Sequence, residues 1–532
     1  MRKIHKVRDG TRMADAVRQA YARGEEDEMM EPMVAVDPGG SPYGRIQQGD
    51  SVIFYNIRGE REFELTHALV DPAFSQFPRP NSLPGRMATM IEYEPGLAVQ
   101  VAFPPIDRIQ NTLGEVLSLH GIRQARVVES EKAIHVSFFL NGKTSDPFPL
   151  EERIIIPSDR SVQNFDERPE MSISQVAEAL RAKLRDEQYG FVLGNFANVD
   201  VVGHMESDEA VRKAIQAVDF HTGLVVDEAR KLGYVTLVTA DHGTVEKRLY
   251  PDGTVDTGHS DSPVPLILVL PAGSEEVKLH EGNSLTDVAP TVLDLMGLPK
   301  PKEMTGTSLI QAGSRQAFGR PGGGCSRPRV LLLILDGWGH LENEEGNLIA
   351  RTHTPVMDRL FRTCPFTRLR AAGLAVGMPE GSVGNSECGH LHIGAGRIIP
   401  SDRVRIDEAI RTGRFFENPA FRWAMEPTRK NGSALHLLGI VSFYSSHGPL
   451  DYLFALLEMA RREGVRKVLI HSLLGRRGEK PESGAIYVGK VEEKALELGV
   501  GEVVTVMGRY WAMDREENWD RIEKAYRALT GS

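Results

Sequence analysis

Residues 330–339 read "VLLLILDGWG", six consecutive apolar residues followed by Asp336 and a Gly-Trp-Gly turn. An uninterrupted run of leucine, valine and isoleucine fits a strand buried on both faces, as in a parallel sheet flanked by helices. An acid placed directly after such a strand lies at its carboxyl end, where α/β sheets open their ligand crevice. The same pattern recurs on both sides of it. "SVIFYNIRGE", "GFVLGNFANVDVVGH", "YVTLVTADHG", "PVPLILVLP", "ALHLLGIVS", "RKVLIHSLL" and "EVVTVMGRYW" all read as buried strands feeding functional loops. Helical stretches such as "DYLFALLEMARREG" and "VRKAIQAVDFHTGLVVDEARKLG" lie between them. The alternation predicts an α/β protein with mostly parallel sheets.

At 532 residues the chain is too long for one ordinary core, so two or three domains are expected. Its 41% hydrophobic and 26% charged residues are those of a soluble globular protein. A net charge of −10 argues against a broad nucleic-acid-binding surface. No segment approaches the ~18 apolar residues of a membrane helix. The basic start, "MRKIHKVRDGTR", is not followed by an apolar stretch, so no secretory signal is expected. Three cysteines, Cys325, Cys364 and Cys388, imply no disulfide framework. The expectation is a cytoplasmic monomer acting on a small molecule, without nucleic-acid or membrane partners. Residues 311–329, "QAGSRQAFGRPGGGCSRPR", lack an apolar period and read as a linker.

Four motifs place acids and histidines at predicted strand ends. "NVDVVGH" carries Asp200 and His204, "TADHG" carries Asp241 and His242, "DTGHSDSPVP" carries His259, and "LLLILDGWG" carries Asp336. Taken singly, each is an ordinary turn former or hydrogen-bonded side chain. Gathered together, carboxylate oxygens and imidazoles without thiolate suit two divalent cations, manganese, zinc or magnesium.

These motifs bear on Ser386, which sits in "PEGSVGNSECGHLHIGAGR". Its surroundings do not match the G-x-S-x-G nucleophile elbow, and no histidine–acid pair is evident in the local sequence. A divalent cation beside the hydroxyl would lower its pKa instead. Ser386 then reads as a nucleophile toward a phosphoryl group, rather than as a simple helix cap.

The chain at this point resembles cofactor-independent phosphoglycerate mutase, of the alkaline phosphatase superfamily. The similar stretches include "LLLILDGWG", "GNSECGHLHIGAGR", "LHLLGIVS", "GRYWAMDR", "ARGEEDE", "AFPP", "NTLGEVLS", "ESEKAIHVSFFLNG", "NFANVDVVGH", "TADHG" and "DVAPTVLDLMGLP". Their order differs from the family's, in which the "DGWG" strand opens the chain, so the sequence resembles a circular permutant. The resemblance implies a phosphatase-like metal domain over 107–312 and 329–400. It also implies a smaller transferase-like domain over 401–532 and 1–106, with 313–328 linking the old termini. Hinges near 106 and 400 would then let the domains close. One metal would take Asp200, His204 and His259, and the other Asp336, Ser386, Asp241 and His242. Mn2+ is the first expectation, with Zn2+, Mg2+ or Co2+ as alternatives. Arg58, Arg61, Arg509, Arg515, Lys132, His447 and Arg477 match the family's substrate-binding positions. Arginine suits such a ligand because its fork engages two oxygens of a phosphate or carboxylate.

Two loops depart from the family. "VSFYSSHGP" has Phe443 where the family has aspartate, and "LGRRGEKP" has Gly475 and Gly478 at two further aspartate positions, with Arg476 adding charge. These losses suggest a roomier, more cationic pocket. They weaken the case for moving phosphate between two glycerate hydroxyls, but the leading function that the resemblance implies is interconversion of 2- and 3-phosphoglycerate through phospho-Ser386. One alternative is transfer of a phosphonyl group, such as phosphonoformyl, from a nucleotide-activated donor to a glycerate-type acceptor. Another is a metal-dependent phosphatase.

Overall fold

The computed structural model describes the chain except residues 1–3, 9, 80–83, 107, 163, 273–276, 314–326, 344, 444, 476–479 and 532. It divides into two compact units, Met1–Pro105 with Asp402–Ser532, and Ile106–Ser401. Most of the expected linker, together with Arg476, Arg477 and Gly478, lies outside the described residues.

The unit Ile106–Ser401 is built on one sheet. Its strands run, in spatial order, Asn283–Ser284, Phe366–Arg370, Val264–Val269, Val235–Thr239, Val330–Leu335, Phe191–Phe196, Gln124–Glu129 and Glu151–Ile156. The opening stretch takes a central place. Val330 pairs with both Phe191 and Val235, parallel to each, and every residue of Val330–Leu335 is fully buried. Only Val264–Val269 runs against its neighbours. The shared register brings the carboxyl ends of Phe191–Phe196, Val330–Leu335 and Val235–Thr239 level, so Asp200, Asp336 and Asp241 emerge along one edge.

Helices Ile173–Arg185 and Asp208–Lys231 pack on each other beside this sheet. The longer one has Ser207 accepting from the Ala210 amide at its start and Arg230 and Lys231 in its last turn, both favourable to the helix dipole. Val211, Ile215, Val218, Val225 and Val226 form its buried stripe. Beneath, Gly194 lets Leu180 of the shorter helix approach the sheet; an added Cβ would come within 2.5 Å of Leu180 Cδ1.

The unit of Met1–Pro105 and Asp402–Ser532 has its own sheet. The order is His5–Val7, Met33–Ala35, Glu502–Gly508, Val468–Leu474, Leu435–Ile440, Ser51–Phe54, Arg86–Ile91 and Gln100–Phe103. All neighbours are parallel except Met33–Ala35 with Glu502–Gly508. Both sheets therefore fit the predicted α/β class. Among the described residues, no helix is long and apolar enough to cross a membrane.

Candidate active site

Each functional loop of Ile106–Ser401 leaves the sheet under a local constraint. Gly337, directly after Asp336, has φ +78, and a Cβ there would stand 2.8 Å from the Asp200 Cα. Its amide donates to Asp241 Oδ1 at 3.1 Å. Ser386 opens the helix Ser386–Ala395, where the Asn385 side chain accepts from the Cys388 amide. Gly389 brings that helix against the Asp241 backbone, since an added Cβ would lie 2.5 Å from the Asp241 carbonyl oxygen. Lys132 comes from a 3-10 turn that runs into a π-helical turn at His135–Phe139. Nothing in the sequence pattern marked that turn, a form that recurs at functional sites.

These loops bring all seven expected ligands into one cluster. Asp200, His242 and His259 offer donor atoms within 4.8 Å of one another, and so do Asp241, His242 and Asp336. His204 Nε2 stands 3.2 Å from His259 Nε2 and 3.5 Å from Asp200 Oδ1. Ser386 Oγ lies 3.1 Å from Asp336 Oδ1 and 2.9 Å from His242 Nε2. The serine thus does meet a histidine, but one supplied from 144 residues away. Lys132, expected to hold substrate, reaches Asp200 at 2.6 Å, Ser386 Oγ at 2.6 Å and Asp336 at 2.7 Å.

The donor set suits divalent cations. His204, His259 and His242 each direct Nδ1 at a carbonyl, those of Thr257 (2.7 Å), Gly384 (3.0 Å) and Gly243 (3.2 Å). A ring that donates from Nδ1 leaves Nε2 with its lone pair free. All three Nε2 atoms turn into the cluster, and two such lone pairs 3.2 Å apart repel unless a proton or a metal cation sits between them. Asp241 Oδ2 is buried and accepts no hydrogen bond. Three buried carboxylates, Asp200, Asp241 and Asp336, meet a single Lys132 ammonium, which leaves negative charge to be balanced.

Electrostatics follow from that imbalance. Burial works against the Lys132 ammonium, yet Asp336, Asp200 and Asp241 raise its pKa above the ordinary lysine value. Burial likewise works against ionised Asp200, but Lys132 and His242 hold it well below the carboxylate range. Asp336 moves the other way, raised by burial and by Asp241 beside it. His135 is pushed down to about 3 by burial and by His390 and Lys132.

The other unit gathers cations at the carboxyl end of its own sheet. Arg509 follows Glu502–Gly508, and Arg58 and His447 follow Ser51–Phe54 and Leu435–Ile440. Burial lowers the Arg61 pKa, and Arg515 and Arg509 lower it further, so three guanidiniums share one neighbourhood. Arg509 is held by Glu28 at 2.9 Å, and Arg58 pairs with Glu60 at 2.7 Å. His447 Nδ1 meets the fully buried Glu62 at 2.9 Å, which fixes the ring.

At Gly475 and Phe443, the described positions of the departing loops, neighbouring groups occupy the space that loss of acids suggested was open. Gly475 has φ +97, and a Cβ there would lie 2.5 Å from the Glu28 Cα. Glycine at 475 therefore accommodates neighbouring backbone rather than widening a pocket. Phe443 is 39% exposed and stands edge-on to Tyr487 with centroids 5.0 Å apart, so an aromatic pair fills its place.

Three buried residues of the cluster escaped the sequence reading. Asn195 donates to Asp336 Oδ2 at 2.8 Å. His390 Nδ1 lies 3.2 Å from Asp241 Oδ2, and although burial opposes its protonation, Asp241 and Asp336 raise its pKa. Its spacing of four from Ser386, one helical turn, was the available signal. Glu246 is fully buried between ligand-bearing loops, and no spacing points to it.

Comparison with known proteins adds independent findings. A sequence model of the Metalloenzyme superfamily matches residues 29–300, and one described as the BPG-independent PGAM N-terminus matches 406–532. The 2,3-bisphosphoglycerate-independent phosphoglycerate mutase of Thermomicrobium roseum is 44% identical over 308 residues, which cover 56% of this chain and 58% of that protein. The 2,3-bisphosphoglycerate-independent phosphoglycerate mutase 2 of Methanosarcina acetivorans is 42% identical over 296 residues, 56% of each chain. A solved phosphoglycerate mutase of Leishmania mexicana, at low cobalt concentration, is 31% identical over 52% of this chain and 54% of its own, with a TM-score of 0.38. The chain spans little more than half the length of the curated relatives it matches.

Proposed function

The chain belongs to the Metalloenzyme superfamily, and from that premise we propose that it is a metal-dependent phosphotransferase interconverting 2- and 3-phosphoglycerate through phospho-Ser386. The observation that carries this reading is the Ser386 hydroxyl, set at a helix N-terminus within 2.6–3.1 Å of Lys132, His242 and Asp336.

Divalent cations at the seven-residue cluster would supply positive charge that acidifies the serine and neutralises phosphate; Mn2+ is the first choice for this oxygen and imidazole set. Asp200, His204 and His259 are assigned to one cation, and Asp336, Ser386, Asp241 and His242 to the other. The chain's own groups do the rest. Ser386 Oγ forms the bond to phosphorus while the bond between phosphorus and the glycerate oxygen breaks. The serine proton passes to the departing glycerate oxygen, and return of the phosphoryl group to the other hydroxyl restores Ser386. Lys132 and the amides opening the Ser386–Ala395 helix stabilise charge on the phosphoryl oxygens. Arg58, Arg61, Arg509, Arg515, Arg477 and His447 are assigned to the substrate's carboxylate and phosphate.

We also infer a circularly permuted order, because the model described as an N-terminus matches the C-terminal residues 406–532 of this chain. The relatives named above carry the mutase name, and none supports phosphonyl transfer.

The test is phosphorus NMR of 3-phosphoglycerate with the protein and Mn2+. Appearance of 2-phosphoglycerate, lost in Ser386→Ala, is expected. Free phosphate without isomerisation would make the protein a phosphatase, and isomerisation surviving in Ser386→Ala would remove the covalent route.

A further inference from the structure

Glu246 is fully buried, and no ion pair to it is found among the described residues. An acid removed from water without a counter-charge is costly, so its position calls for a reason. Its contacts supply one. One carboxylate oxygen accepts from the Thr244 amide at 3.0 Å, two residues beyond His242. The other accepts from the hydroxyl of Ser260, the residue after His259. The two segments are further joined by the Ser260 amide donating to the Gly243 carbonyl at 3.0 Å. The carboxylate also fills space left by two glycines: a Cβ at Gly339, in the turn after Asp336, would overlap it, and so would a Cβ at Gly243. The Thr244 hydroxyl in turn donates to Asp200 Oδ1 at 3.3 Å and lies 3.4 Å from His242 Nδ1.

We propose that Glu246 is a positioning residue for the cation assigned to Asp200, His204 and His259, and that it steadies His242 of the neighbouring one. It contacts the segments carrying His242, His259 and Asp336, and reaches Asp200 through Thr244. It offers no atom to the cation itself. Holding both donors fixes the spacing of His242 and His259, whose ring centroids are 4.1 Å apart, and positive charge in the cluster offsets the cost of burying it. This inference rests on the reading that these loops hold divalent cations.

The test uses the full chain, stripped with a chelator and titrated with Mn2+ alone, followed by calorimetry and by the rise in Tm. Glu246→Ala is expected to weaken Mn2+ binding roughly 10- to 100-fold, the range found for residues supporting metal ligands. Glu246→Gln, an amide of the same shape that still reaches both loops, should recover most of that loss. Should Glu246→Ala fail to fold, Ser260→Ala keeps the test open by removing one donor, with weakening of roughly two- to tenfold on the same ground. Unchanged Mn2+ affinity in the variants would overturn the proposal, as would a fall in metal-free Tm matched by an equal fall with metal, which marks a purely structural acid. If the unmodified chain binds no Mn2+, the reading beneath the proposal fails as well.

Discussion

Gly337 joins two requirements in one residue: a left-handed backbone, and room for the Asp200 backbone 2.8 Å from where a Cβ would be. Gly337→Ala should destabilise the fold by about 1–3 kcal/mol, the usual cost of such strain, and weaken Mn2+ retention as Asp200 shifts. Urea unfolding together with metal titration checks both. His392 makes a different commitment. It donates to the Cys388 carbonyl at 2.6 Å and accepts from the Ile399 amide at 3.0 Å, and burial pushes its pKa down to about 4. The unfolded imidazole takes a proton near pH 6.5, while the folded one stays neutral until about pH 4. Stability is therefore level above pH 6.5 and falls as pH drops from there toward 4, by about 3 kcal/mol from this group. Urea midpoints measured from pH 7 to 4 should show a shallower loss in His392→Gln.

At the scale of elements, the helix Ser386–Ala395 is held by its small residues. A Cβ at Gly389 would lie 2.5 Å from the Asp241 carbonyl oxygen, and one at Gly394 would overlap the Leu140 carbonyl. Gly389→Ala should keep the fold but lift the helix start away from the cluster, lowering kcat by roughly tenfold or more, as small misplacements of a nucleophile do. Steady-state kinetics alongside circular dichroism would separate the two effects. The elements also show what a sequence can reveal. Asp336, Asp241 and Asp200 were legible because each closes an apolar run, and strand ends are where parallel sheets expose polar groups. Ser386 was legible only together with the acid and histidine motifs, since a serine in a glycine-rich turn by itself reads as a helix cap. Glu246 and Asn195 were not, because their importance arises from packing between segments far apart in the chain. Gly475 misled for the same reason: only the nearby Glu28 backbone explains why no side chain stands there.

For the whole molecule, the order of segments is open to direct test. Ile4 lines the same cavity, of about 210 Å3, as Glu523, Lys524 and Arg527, so the segments next to the two chain ends already meet. A gene rearranged to begin at Arg329, run through Ser532 into Met1 by a short linker and end at residue 312 should give a protein with the same activity and a Tm within a few degrees. Loss of folding in that rearrangement would count against the permuted order. The unit Ile106–Ser401 is continuous in the chain and should fold when expressed alone, with a metal-dependent rise in Tm and no isomerase activity.

The other unit is interrupted, and this affects how it is made. The strand Ser51–Phe54 pairs on one side with Leu435–Ile440, which the ribosome reaches only after the 380 intervening residues 55–434. At about 5–20 residues per second, the delay is on the order of 20–75 s. During that time an apolar strand edge has no partner and could recruit the same edge of a neighbouring nascent chain. Heterologous production should therefore depend on chaperone capacity, with slower synthesis at low temperature giving more usable protein.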